Sequence, residues 1–445
     1  MNEMNILKPV RSGPVNNTFR LGVPTWANAC VGENGSPGYF EYAKGYSSAA
    51  NLMLSEVIRS RGIEHVVDYF IYPICFNMRH SVELHLKQSI VHLEKLYSKT
   101  GKRLEFDLKA SHDIGILWEL LIEKAFNFDV RYKEQLTSMD AVISDFASVD
   151  KTGQTFRYPH DNKGKTKHLT NLDHGINLIV LRDVFRQLES SLEELRILEL
   201  YLIDEYSLGS HTDNLSREEV MYIAHLLPDR GRWGEKYFSD ARCRIKKVLG
   251  LSSNAFKRVT SIIESNHEMA SKIGLNLELL GLNEEDLNEF LGCILKLNPL
   301  DSLIGGIEEF SDDFIAQFEK DRKLIDELLV RLSPKVTKEY ISGLLAFEYL
   351  NDEHWLGEYY SEGYLYHLSS QSSIEENLKG EVIRLLNKPM FPVYVVYGLC
   401  CLGKNNLANK IVKDHDLLKY FPDVEMALNG NMFEIRKPFG FYGIR

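Results

Sequence analysis

The chain has 445 residues, 44% of them apolar and 26% charged, and a net charge of −11. That composition suits a soluble globular protein of two or three domains, long enough to bury real cores. It argues against a protein that coats nucleic acid over its whole surface. The longest apolar runs, such as Phe391 to Leu402, are too short to span a bilayer, and the N-terminus lacks a signal pattern. Six cysteines without metal-type spacing imply a reducing compartment. The expectation is a cytoplasmic protein with no membrane contact and no cofactor or metal.

In chain order, residues 1–38 are rich in Gly and Pro and read as an irregular arm. Helical periodicity runs from Tyr39 to about Arg61. A central helix follows from Tyr69 to about Lys99, with Pro73 expected in its first turn and Gly101 as its C-terminal cap. Turned at 100° per residue, Ile71, Cys75, Met78, Val82, Leu93 and Leu96 form one apolar stripe. His85 falls inside that stripe and Arg79 on its rim, with His80, Glu83 and Lys87 on the far face. Ser111 is placed to cap a helix through Ile122, and Phe128 to Ile143 gives a weaker helix.

The loop from Asp150 to Gly164 and on to Lys167 carries Lys151, Arg157, Lys163, Lys165 and Lys167 against Asp161, enough charge to meet an anion. Periodicity returns from Asn171 to Tyr206, and Gly209 to Asn214 reads as a domain boundary. Beyond it, Ser216 and Glu219 form a capping box. Helices are expected over 216–227, 234–248, 252–271, 283–296, 308–331, 334–350 and 373–388. Val393 to Tyr397 is the one candidate strand. The fold class is all-α, with a helical bundle over 39–206 and a second helical region of unknown role over 215–445.

Candidate chemistry starts at Arg79 and His85, an Arg-x5-His pair. With Gly45-Tyr46, Ala49-Ala50, Tyr72-Pro73, His80, Glu83, Lys87, His112-Asp113, Trp118 and Phe156-Arg157-Tyr158-Pro159, the pair resembles the HEPN-like helical bundles of bacterial toxin and antiviral defence systems. The resemblance covers about residues 39–205. It implies a metal-independent ribonuclease, with His85 taking the 2′-OH proton and Arg79 stabilising the charged phosphorane. The resemblance also implies a site shared across a homodimer; on a straight helix the two side chains lie about 120° apart, an angle that a dimer or a kink in the helix would have to close. The alternative is a non-catalytic adaptor or assembly subunit that binds a nucleotide or a protein, with Arg79 paired to Glu83 one turn on.

His112, Asp113, Arg157 and His160 form a second cluster. With His80 and Glu83 they make a candidate nucleotide- or phosphate-binding set, or else a salt-bridge network pinning the loop. Gly398 to Asn405 nearly matches a P-loop, but Asn405 stands where Ser or Thr would hold magnesium, and a helix with a Gly-Lys-Asn stop is the simpler reading. Residues 215–275 hold 11 basic and 7 acidic side chains, and Arg230 to Lys247 mixes cations with aromatics, as a nucleic-acid surface or a solvated helix face would. Residues 281–330 hold 13 acidic and 4 basic ones, a solvated or partner-facing surface. RNA or a nucleotide, a second copy of the chain, and a protein partner at the C-terminal region are the expected partners.

Overall fold

The computed structural model describes residues 18–34, 36–106, 111–160, 164, 166–170, 175–300, 314–352, 356–371 and 374–430. Residues 1–17 of the arm, Asp161, Lys163, Lys165 and positions 308–313 of an expected helix lie outside the described residues. The described residues form helices and no strand, as the periodicity indicated; the one β-type contact is an isolated antiparallel bridge between His160 and Lys167. None of these helices is long and apolar enough to cross a membrane.

The first helices are α1 (Tyr39–Arg59), α2 (Val67–Lys99), α3 (Ile114–Phe128), α4 (Tyr132–Val149) and α5 (Leu178–Ser207). Next come α6 (Arg217–Leu226), α7 (Lys236–Leu249), α8 (Ser253–Ser265), α9 (His267–Lys272), α10 (Glu284–Leu297) and α11 (Phe314–Leu332). The last are α12 (Lys338–Asp352), α13 (Gly357–Ser370), α14 (Glu375–Leu386), α15 (Phe391–Cys401), α16 (Asn405–Asp414) and α17 (Val424–Leu428).

Several local expectations need correction. Pro73 sits inside α2, not in its first turn. Ser111 does not cap α3, which starts at Ile114; its Oγ is buried with no hydrogen-bond partner among the described residues. The span 252–271 is two helices, because Asn266 turns the chain and its side chain accepts from Met269 N–H to start α9. Val393 to Tyr397 is not a strand but part of α15: a β-branched apolar run looks alike in a buried helix and a strand. The Ser216 capping box forms with both reciprocal bonds.

The chain divides into two compact units, one of residues 1–88, 112–114 and 145–185 and the other of the remainder. In the first, α1 buries Ala43, Ala50, Leu54 and Val57, and α2 buries Ile74, Met78, Val82 and Leu86. Ser81 Oγ donates to Ala43 O at 2.9 Å and ties the two helices together.

In the second unit, one apolar cluster spans 215–273 and a larger one spans 279–427. The larger is built round α12, which packs on α13, α14 and α15. Glycines allow that closeness: a Cβ at Gly343 would lie 2.4 Å from Leu280 O, and one at Gly398 2.6 Å from the Phe347 ring. The second unit also buries ion pairs that the sequence did not announce. Arg131 bridges Asp129 and Glu205, Arg217 bridges Glu268 and Glu358, and His92 Nδ1 lies 2.8 Å from Glu199. Burial lifts the Glu205 carboxyl above its ordinary range despite the charge of Arg131.

Candidate functional site

The candidate residues converge in the first unit around the Glu83 carboxylate. Arg79 and Glu83 are one helical turn apart on α2, the spacing at which the two side chains meet. Lys87, a further turn on, donates to Glu83 Oε1 at 2.9 Å. His112 Nδ1 approaches the same oxygen at 2.9 Å, and His80 Nδ1 lies 3.7 Å from Oε2. Glu83 and Lys87 are thus buried, not on an exposed far face, because Ser81 to Lys87 are buried on every side of the helix. Burial alone would raise the Glu83 carboxyl. The nearby His80 ring, hydrogen bonds from Lys87 and His112, and the charge of Arg79 outweigh it and hold the group well below the usual carboxylate range.

Arg79 is only 1% exposed. Besides the Glu83 carboxylate, its Nε donates to Asp150 O at 3.1 Å, and its Nη2 to Lys151 O at 3.0 Å and to His112 O. Four of the five N–H donors of a guanidinium are thereby engaged with the chain itself. The loop after α4 closes over this group. Gly153, at φ +76°, lies so close that an added Cβ would come 2.9 Å from Arg79 Nη1, so glycine is required there for conformation and for space. Asp150 Oδ1 accepts from Thr155 N–H at 3.1 Å and fixes the turn. Burial, and then the Asp150 carboxylate, push the Cys75 thiol up to about 12.

The outer edge of the cluster is a stack. The Tyr46 ring meets His80 edge-on at 4.5 Å, and His80 stacks on Phe76 at 5.7 Å with 8° between planes. The Arg157 guanidinium lies over Phe76 at 5.5 Å and over Tyr158 at 5.6 Å, its Nε donating to Gly153 O. Asp113 meets Lys151 Nζ at 3.3 Å. The remaining candidates stand elsewhere. His85 is buried with its ring edge-on to Phe40, at 6.2 Å between centroids, and the exposed His160 pairs with Lys167.

Of the residues that hold Arg79, sequence reasoning missed Gly153 and the backbone of Asp150 and Lys151, because carbonyl acceptors leave no trace in side-chain identity. A glycine in a loop already rich in turn residues gives no separate signal. In the second unit, the readable sign of the buried ion pairs was charge on an apolar face. Glu199, for example, stands between the buried Leu198 and Leu202 of α5.

The chain matches no family model, no curated protein and no solved structure. The HEPN-like resemblance accordingly rests on the sequence motifs alone.

Proposed function

We propose that this chain is a non-catalytic assembly subunit, an adaptor of the kind of system HEPN-like proteins serve, which self-associates through its N-terminal unit. The observation that carries the reading is the state of Arg79, buried at 1% exposure with four donors held by its own chain. An arginine so held is a clamp on the 150–157 loop, and it presents no free fork to a phosphate. The association surface is suggested by large apolar side chains of the arm: Phe19, Leu21, Val23, Trp26 and Val31 are each at least 75% exposed. Rows of exposed apolar groups anchored by a tryptophan suit a docking surface. Light scattering on the purified chain should give a mass above its 51.2 kDa monomer. Val23→Ser with Trp26→Ser should return it to the monomer with an unchanged melting temperature. A monomer at every concentration tested overturns the reading.

One observation favours the ribonuclease reading. His112 is 65% exposed at its side chain and oriented by the buried Glu83 carboxylate, the arrangement a general base needs. Exposed Lys151 and Arg157 stand on the loop after α4, where Lys151 reaches Asp113, the residue next to His112. On this reading Arg79 holds the loop, and the base is His112 in place of His85. Cleavage of total RNA in the presence of chelator, lost in His112→Ala and kept in His85→Ala, would establish it. Loss in His85→Ala alone would restore the Arg79–His85 pair.

A further inference from the structure

The Gly-Lys-Asn turn is not a P-loop, since helix α15 precedes it where a P-loop has a strand. It nonetheless borders a cavity of about 270 Å³ in the second unit, lined by Ser271, Asn276, Glu284, Gly403, Lys404 and Asn405 among others. Lys404 is only 9% exposed. Its Nζ donates to Asn276 Oδ1 at 2.7 Å, and among the described residues no carboxylate lies within ion-pair distance. An ammonium has three donors, so this buried charge keeps one neutral acceptor and has two protons left over. Burial lowers its pKa, Glu284 and Glu278 opposing from further off. A cation held this way costs free energy unless an anion joins it.

Two further features converge on the same space. Helix α16 is ten residues long and opens at Asn405 with no side-chain cap, its first backbone bond running from Ala408 N–H to Lys404 O at 3.0 Å. Its leading amides and the positive end of its dipole therefore face the cavity edge where Lys404 sits. Gly403, at φ +71°, presses against Ser271, where an added Cβ would come 2.2 Å from the hydroxyl. That contact fixes the turn and keeps the lysine directed along the cavity wall.

We infer that the cavity is a binding site for a phosphate group, free or esterified. Lys404 and the first amides of α16 take its oxygens, and the Asn276 side chain holds the lysine in place. Glu284, in the first turn of α10, limits the site to one anionic group and accepts from a protonated phosphate oxygen. Leu275, Leu277 and Leu402 leave an apolar wall for a small organic substituent.

The test is isothermal titration of the full chain with inorganic phosphate, against acetate and chloride at matched ionic strength. Phosphate should bind saturably at one site per chain. Lys404→Met should weaken it at least tenfold. Asn276→Asp, which gives the lysine an internal carboxylate, should weaken it as much while the melting temperature stays level or rises; this variant carries the test if Lys404→Met fails to fold. Glu284→Gln should tighten binding. No saturable binding, equal affinity in the wild type and Asn276→Asp (an adventitious ion only), or acetate binding in preference to phosphate each overturns the assignment.

Discussion

Replacing Arg79 by methionine keeps an unbranched apolar stem and removes the guanidinium. Glu83 would keep Lys87 and His112, so its charge is not orphaned. The carbonyls of His112, Asp150 and Lys151 would lose a donor together. A buried acceptor without a partner costs about 1–3 kcal/mol; Lys151 O keeps the Ile114 N–H, so the carbonyls of His112 and Asp150 bear that cost, together with a weaker hold on Glu83. These losses overlap, and ~3–5 kcal/mol is the expected total, a large share of the ~5–15 kcal/mol that holds a domain. Chemical denaturation at neutral pH measures the loss, and trypsin cleavage at Lys151 and Arg157 reports the loop. Arg79→Lys should fall between the two, keeping the attraction to Glu83 but not the fork on three carbonyls. A loss under about 1 kcal/mol with unchanged loop protection would show that Arg79 does not clamp the loop.

Gly153→Ala should destabilise by about 1–3 kcal/mol, since a non-glycine residue at φ +76° is strained and its Cβ pushes on Arg79; the same denaturation experiment reads it. Gly343→Ala should cost more, because Leu280 O is backbone and cannot yield as a side-chain end would; insoluble expression or a fall in melting temperature of many degrees is expected. Acid should weaken the second unit through His267, His367 and His415, whose pKa values burial lowers. Groups depressed this way cost stability as pH falls below the unfolded value of about 6.5, the loss levelling off below their folded values. Glu83 should cost the first unit stability only below about 4.3, where the unfolded carboxyl begins to take a proton. Amide hydrogen exchange at stepped pH should therefore show the second unit loosening first, and the reverse order contradicts this assignment.

The stripe of α2 was legible because Cys75, Met78, Val82, Leu93 and Leu96 recur at helical spacing and are buried. Its polar side was misread for a physical reason. A helical wheel assumes one wet face, whereas Ser81 to Lys87 are buried all round, so Glu83 and Lys87 had to find partners inside. The candidates His80, Glu83, His112 and Arg157 were named from the sequence and do lie together, but the loop that closes over Arg79 is a long-range contact that no local pattern encodes. Helix α13 was missed because Gly357, Gly363 and four tyrosines (Tyr359, Tyr360, Tyr364, Tyr366) give it no clean apolar stripe.

The first unit is drawn from three separate stretches of chain, and Arg79 waits for acceptors 71 and 72 residues further on. On a ribosome moving at ~5–20 residues per second that interval is about 4–14 s. For that time the nascent polypeptide carries an unclosed α1–α2 hairpin with its apolar stripe and charged cluster open to solvent. Such a chain should lean on co-translational chaperones. A stop codon anywhere before position 150 would leave a product that cannot complete the unit at all, a natural target for quality-control proteases.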